Sequence, residues 1–378
     1  MLSKSGYGVH SRQLLRYLLG KTGINVTAQV VPWGVTPWDI NPEAYGGLVG
    51  EIVKRSATDP NKKYDVSFQV ILPNEWDASL AEYNIGVTAG VETDRCNPMW
   101  TTVHCSKMDK IIVPSQHTKD SFIKSARSST EIRVVPESYF EELLDEPSDL
   151  ELELSTDFNF LAIGVMTGMT PETDRKNLFY LLKWFVEEFK NDKDVGLIVK
   201  TNRGREHAID KVNTQVLLSR VLKEVGHKGT PRIYLLHGDM ERQEMNSLYK
   251  HPDVKALVSV TRGEGFGLPL LEASVAGLPV IATEWSSHVE FLNFGKWVKL
   301  DYELCEVHQS RVDNNIFVPG AKWAEVKEES FKRAIRKFRK SHAVPKAWAQ
   351  DLSNKLSERY SHKKICMLYE EVLGPILS

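Results

Sequence analysis

Gly263-Glu264-Gly265-Phe266-Gly267-Leu268-Pro269-Leu270-Leu271-Glu272-Ala273 is the stretch whose reading decides the fold. Apolar, β-branched runs flank it at 256–260 and 278–282, so the order is strand, glycine loop, helix, turn, strand. Three glycines at alternate positions let the backbone turn sharply and approach a ligand. Pro269 suits a first helical turn, where its missing N–H is no loss, and Gly277 suits the helix end. The helix is expected over 269–276. Its start would aim free N–H groups and a positive dipole end beyond the strand's carboxyl end, a geometry that receives phosphate. Glu264 falls in the loop and Glu272 about a turn inside the helix. Carboxylates accept hydrogen bonds, so the two acids suit hydroxyls on two sides of such a phosphate, one on a ribose and the other on a sugar.

A chain of 378 residues with 42% hydrophobic and 26% charged residues is globular and long enough for two domains. A net charge of −2 gives no strong drive toward nucleic acid. The cysteines at 96, 105, 305 and 366 show neither C-x-x-C nor zinc spacing, which favours a reducing, cytoplasmic setting without a disulfide framework. No run reaches the roughly 18 apolar residues of a spanning helix, and the N-terminus lacks the apolar core of a signal peptide.

Read in order, the chain opens on Ser5-Gly6-Tyr7-Gly8 and a helix with Leu14, Leu15, Leu18 and Leu19 on one stripe. Strands are expected at 25–31, 65–72, 84–88, 110–113 and 132–135. Trp33 and Trp38 lie in a turn-rich loop and suit either a sugar face or a core edge. The loop 89–100 follows a strand, so Glu92, Thr93 and Arg95 are placed to face a ligand cleft. Its alternative reading is a loop closed by an internal Glu–Arg pair. Residues 137–157 are strongly acidic and read as a solvated helix or linker. Strands at 158–164, 195–199 and 232–236 alternate with helices at 178–190 and 241–249. Residues 327–340 form an amphipathic helix whose basic face suits either solvent or peripheral contact with an anionic membrane. No D-x-D-like pair stands at a strand end, and no metal ligand set is expected.

The quoted stretch resembles the E-x7-E signature of retaining nucleotide-sugar glycosyltransferases of the GT-B fold, glycosyltransferase family 4, with Glu264 and Glu272 on its two acids. Ala276-Gly277-Leu278-Pro279-Val280-Ile281-Ala282-Thr283, then Glu290, also looks like the family's pattern. The likeness is strongest over 158–292. It implies an α/β protein with two Rossmann-like, doubly wound parallel-sheet domains facing across a cleft. The expected boundaries are an acceptor domain at 1–140, with its first strand missing, an acidic linker at 141–157, a donor domain at 158–355, and a C-terminal helix at 356–378 crossing back to the first domain.

The implied enzyme is a metal-independent, cofactor-free hexosyl- or other glycosyltransferase. It moves a sugar from a nucleotide-diphosphate donor to a glycan, lipid-linked or other hydroxyl acceptor. By resemblance, Lys176 charges the donor phosphates, Glu264 holds the donor sugar and Glu272 the ribose. The N–H groups of Gly265, Phe266, Gly267 and Leu268 approach the diphosphate, as does the Gly6–Gly8 loop. Backbone at Gly238 reads the base. The family's usual arginine after the first strand of the donor domain is absent, and Arg175 or Lys200 is the candidate replacement. The family's histidine near residue 92 is also absent, which leaves Glu92 as the candidate there. The rival readings are a nucleotide-sugar epimerase, a non-catalytic nucleotide-sugar-binding relative, and a transferase acting on nucleic-acid bases.

Overall fold

The computed structural model describes residues 1–56, 62–168 and 170–378. Its contacts divide the chain into two units, Met1–Ser138 with His362–Ser378, and Tyr139–Ser361.

The first unit holds a parallel sheet of β1 (Tyr64–Val70), β2 (Ala81–Val87), β3 (Lys110–Val113) and β4 (Ile132–Val134), in that spatial order. Around it stand α1 (Gly6–Leu19), α2 (Ala44–Lys54) and α3 (Gln116–Ser125). Ser115 starts α3 by accepting the Thr118 N–H at 3.0 Å, a cap that stabilises by about 1 kcal/mol in general. The strand expected at 25–31 does not form. Its alternation is real, because Val26, Ala28 and Val30 pack together against Leu15, Val49 and Ile52. The segment runs alongside helical neighbours instead of a strand, and Ala28 donates to the Arg55 carbonyl. Side-chain period and ladder pairing are separate requirements, and only the first is met here.

The second unit is wound in both directions. Its six parallel strands are β5 (Phe158–Ile163), β6 (Val195–Thr201), β7 (Arg232–His237), β8 (Val254–Ser259), β9 (Val280–Thr283) and β10 (Val298–Leu300). Their spatial order is β10-β9-β8-β5-β6-β7, the Rossmann order. The chain steps outward from β5 through β6 to β7, then returns to the other side of β5 as β8. The helices are α4 (Leu178–Phe189), α5 (Ala208–Glu224), α6 (Arg242–Lys250), α7 (Leu268–Val275) and α8 (His288–Leu292). A hairpin of β11 (Tyr302–Glu306) and β12 (Lys322–Val326) follows β10, and α9 (Glu328–Lys340) and α10 (Ala343–Arg359) come after it. Phe158, Phe160, Phe185, Phe189, Phe331 and Phe338 lie in the core between sheet, α4 and α9. Each fully buried side chain of this kind contributes about 1.5–3 kcal/mol.

Three expectations are changed or refined here. The acidic residues 141–157 are not a free linker. A short turn, Glu141–Leu144, packs on α6, where Arg242 pairs with Glu142 at 3.2 Å and Asn246 donates to the Asp145 carbonyl. The basic face of α9 is exposed at Arg333, Arg336, Lys337 and Lys340, as expected of a solvated face, but part of it is also paired. Lys332 meets Glu187 at 2.7 Å, Arg336 meets Glu188 and Arg339 meets Asp192, so α9 is laced to α4 and the segment after it. The C-terminal helix expected at 356–378 breaks at Tyr360, whose ring is wedged beside Phe291 and Phe294. The chain then enters α11 (His362–Leu377), which belongs to the first unit. There Tyr369 shares a hydrogen bond with His10 at 3.1 Å and Tyr17 donates to Glu370. Among the described residues, no helix is long and apolar enough to cross a membrane.

Candidate functional site

The loop after β5 and the loop after β8 leave neighbouring strands at the point where the winding reverses. In open α/β sheets, this crevice at the carboxyl ends of the strands is where ligands bind. The β8 loop carries Glu264 and leads into α7, and the β5 loop carries Arg175 and Lys176 and leads into α4. The two residue sets come from positions almost 90 apart in the chain, and the topology brings them together.

Glu264 is the centre of the cluster. Lys176 Nζ donates to its two carboxylate oxygens at 2.6 and 2.8 Å. Arg175 donates to it at 3.4 Å and to the Gly263 carbonyl at 2.8 Å. Burial pushes the Glu264 pKa up, but the charges of Lys176 and Arg175 outweigh it and hold the carboxyl down at about 2. The Lys176 stem passes Gly164, just after β5, where a Cβ would lie 3.3 Å from the lysine Cγ. Asp174, fully buried, steadies the loop by accepting from the Thr167 N–H at 2.9 Å and from the first N–H of α4 at 2.8 Å.

α7 begins differently from an ordinary capped helix. Its N-cap residue, Gly267, has φ +100°, and no side chain caps the helix. A Cβ at this position would lie 3.1 Å from the Cβ of His288, in a conformation that side chains rarely adopt. Among the described residues, the N–H groups of Phe266, Gly267 and Leu268 donate to no acceptor. The Phe266 side chain itself is no ligand contact. It is buried against Phe291 and Tyr360, so only its backbone belongs to the loop surface.

Glu272 sits inside α7 and accepts from the Tyr249 hydroxyl at 3.0 Å. Burial raises its pKa to about 7, against the opposing effects of that hydrogen bond and of Arg242. The two acids of one motif are thus driven apart, Glu264 held as a carboxylate and Glu272 poised near neutrality. Lys200, at the end of β6, donates to the Gly238 carbonyl just after β7. Gly238 has φ +110° and its own N–H bonds the Thr201 carbonyl. Lys200 and Gly238 therefore form one feature, in which the Lys200 carbonyl also accepts the Gly164 N–H at 3.1 Å.

Four residues that build this site carry no expectation from the sequence. Arg262 is 2% exposed, pairs with Glu325 at 2.6 Å and donates to the carbonyls of Pro171 and Asp174. Ser286, at φ +83°, accepts the Glu264 N–H at 3.0 Å, and Ser287 donates to the Glu264 carbonyl. His288 is buried between the Thr283 carbonyl at 2.7 Å and Ser286, and burial lowers its pKa. The available signal was only the run Thr283-Glu284-Trp285-Ser286-Ser287-His288, polar residues directly after a strand.

The remaining sequence candidates lie in the first unit. Gly6 and Gly8 are not a loop before α1 but its first turn, because Ser5 caps the helix by accepting the Gly8 N–H at 3.2 Å. Tyr7 between them stacks on Trp33 with centroids 4.1 Å apart and shares a hydrogen bond with Thr88 at 2.8 Å. Glu92 lies in the loop after β2, as expected, half-buried. Thr93 does not face outward; it is buried and donates to the Arg95 carbonyl. Asp94 and Arg95 form an ion pair in this loop at 3.6 Å.

Residues 174–301 match the family described as Glycosyl transferases group 1, a span that contains Arg175, Lys176, Lys200, Gly238, Glu264 and Glu272. A curated relative, the "Probable sucrose-phosphate synthase" of Thermosipho melanesiensis, is 26% identical over 185 residues, covering 48% of this chain and 38% of the relative. Among solved structures, sucrose-phosphate synthase from Thermosynechococcus elongatus aligns with a TM-score of 0.63 at 12% identity, over 98% of this chain and 94% of that one. The Anabaena protein HepE in complex with UDP and glucose aligns with a TM-score of 0.61 at 14% identity, over 88% and 83%. These neighbours share the fold of two Rossmann-like domains found in GT-B glycosyltransferases.

Proposed function

We propose that this chain is a retaining glycosyltransferase that moves a sugar from a nucleotide-diphosphate donor to a hydroxyl acceptor. The observation that carries the reading is the Arg175–Lys176–Glu264 cluster, set beside the unbonded N–H groups of α7 at the switch point. The group 1 match over 174–301 supports it.

In this reading the donor diphosphate takes the N–H groups of Phe266, Gly267 and Leu268 as its acceptors' partners. Lys176 and Arg175 turn part of their charge from Glu264 to the phosphate oxygens. Glu264, freed from one of its donors, accepts hydrogen bonds from the hydroxyls of the transferred sugar. Glu272 accepts from the ribose hydroxyls in place of Tyr249. As the bond between the anomeric carbon and the phosphate oxygen breaks, negative charge builds on the diphosphate. Fixed donors and cations aimed at that charge stabilise the transition state more than the ground state. The acceptor oxygen bonds the anomeric carbon on the face the diphosphate leaves. Its proton passes to the departing phosphate oxygen, so no protein nucleophile is needed. The chain's own cations neutralise the leaving group, which makes the step metal-independent.

UDP is the first nucleotide to test, since the Anabaena neighbour was solved with it. UDP is expected to raise the thermal midpoint of the wild type, and Glu272→Ala is expected to abolish that response. Anomer-resolved NMR of the product then tests the stereochemistry, and an inverted product would overturn retention. Activity that disappears with EDTA and returns with a divalent ion would overturn metal independence.

A further inference from the structure

The hairpin β11–β12 interrupts the second unit between its last sheet strand and α9, and it has a small core of its own in Val307, Phe317, Val318, Ala321 and Trp323. Both flanks of the Glu264 loop rest on it. On one side, Ala324 N–H donates to the Arg262 carbonyl at 2.9 Å, and the Arg262 guanidinium lies 5.2 Å from the Trp323 ring centroid. On the other side, Trp285 packs against the hairpin core, and the next two residues, Ser286 and Ser287, hold the Glu264 backbone.

From this we infer that Glu325, on β12, is a positioning residue for the donor site, an inference that rests on the reading given under Proposed function. Its two oxygens serve two different parts of the site. One accepts from Arg262 Nε at 2.8 Å, and the other accepts from Asn177 Nδ2 at 3.0 Å. Arg262 is two residues from Glu264, and Asn177 directly follows Lys176. One carboxylate therefore ties the loop that carries the acid to the loop that carries the lysine. Both partners are committed to it. Arg262 is a buried cation whose other bonds go to the carbonyls of Pro171 and Asp174, so that among the described residues Glu325 is the acid it bonds. Asn177 is fully buried at φ +58°, and among the described residues its side-chain oxygen has no partner, so the bond to Glu325 is what orients its amide.

The residue's role is geometric. Removing both oxygens leaves a buried guanidinium without its counter-charge and an asparagine free to rotate. The Lys176–Glu264 spacing then loses its brace. Glutamine in place of Glu325 is a conservative rescue. Its oxygen can still accept from Arg262, and its NH2 can meet the vacant Asn177 oxygen after an amide flip.

The test compares wild type, Glu325→Leu, Glu325→Gln and Glu303→Leu, an exposed position on the same hairpin. UDP affinity, donor KM and kcat, and hydrogen exchange of 174–178 and 261–266 are measured well below the thermal midpoint. Glu325→Leu is expected to weaken UDP binding about tenfold, the order of loss that one buried group left unsatisfied brings. Glu325→Gln is expected to lose no more than about threefold, and Glu303→Leu to bind as wild type, with exchange faster only in the Glu325 variants. A leucine variant that melts earlier but binds UDP within twofold of wild type would overturn the inference. If the leucine variant does not fold, Asn177→Gly decides, since it removes the other end of the tie and suits φ +58°. Measurably weaker binding with faster exchange at 261–266 supports positioning, and wild-type values for both overturn it. If the wild type binds no nucleoside diphosphate, the functional reading fails instead. The exchange comparison then still decides whether Glu325 braces the two loops.

Discussion

Two helices of this molecule begin on glycine, and they use it for opposite ends. At α1, Gly8 has no Cβ because the Ser3 carbonyl occupies that space, and Ser5 accepts the Gly8 N–H. The chain fills its own first turn. At α7, Gly267 stands in the left-handed region, no side chain caps the turn, and the N–H groups of 266–268 keep their hydrogens unbonded among the described residues. Beside the second turn, Lys176 and Arg175 gather on the loop acid Glu264, whereas beside the first Arg12 donates to the carbonyls of Met1 and Ser3. A glycine pair before a helix is therefore not in itself a phosphate site. The missing cap and the charge beside it separate the two cases.

The largest effect expected from that contrast is at the charge. Lys176→Ala should lower the sugar-transfer rate about 10²- to 10³-fold, as loss of one preorganised donor to a leaving oxyanion generally does. Single-turnover rates at saturating donor measure it, and a loss under threefold would place the leaving group elsewhere. Next come the glycines. Gly267→Ala forces alanine to φ +100° and Gly8→Ala pushes a methyl into Ser3. Each should cost about 1–3 kcal/mol of stability. The two should differ in function, because only Gly267→Ala is expected to abolish the thermal response to UDP. Equal loss of that response in both variants would erase the distinction between the two turns.

How far the sequence reaches follows the same division between local and distant causes. The buried parallel strands of the second unit are near-continuous apolar runs, so 158–164 and 195–199 were legible almost to the residue. Helix α4 was legible from its stripe, and the E-x7-E motif from its loop and helix. Residues 25–31 misled because their alternation is satisfied by packing alone. Arg262 was invisible because its partners are backbone carbonyls and an acid 63 residues away. The pairing of the basic face of α9 was invisible because its acids lie about 145 residues earlier, on and just after α4. Tyr249 and Glu272 are 23 residues apart, and only the fold makes them a pair.

That pair gives a smaller, pH-dependent effect. The Glu272 pKa rises from an ordinary 4.5 to about 7 on folding, so the fold favours its neutral form. Its contribution to stability is complete below pH 4.5 and is lost as pH rises through 7. Glu264 has the opposite sign. Its pKa falls to about 2, so its contribution is complete above pH 4.5 and is lost as pH drops toward 2. Glu272→Gln should therefore flatten the thermal midpoint between pH 5 and 8 and leave the acid limb unchanged. Ribose hydroxyls need an acceptor, so UDP binding to the wild type should tighten from pH 6 to 8 and release a proton, readable by calorimetry in two buffers. Binding that weakens over that interval would remove Glu272 from the ribose.

The smallest effect is also the sharpest check on α1. Gly6 has open space where a Cβ would go, and its φ is not in the left-handed region. Alanine there gains helix propensity and restricts the unfolded chain, so Gly6→Ala should stabilise by about 0.4–1 kcal/mol. If α1 is closed by its own cap, UDP affinity stays within twofold of wild type. A methyl group at a turn that approaches a diphosphate would instead displace it. A tenfold weaker affinity with unchanged or higher stability would mean that the first turn of α1 is open to ligand after all. The Ser5 cap would then have to give way on binding, and the contrast between the two glycine-led helices would hold only for the empty protein.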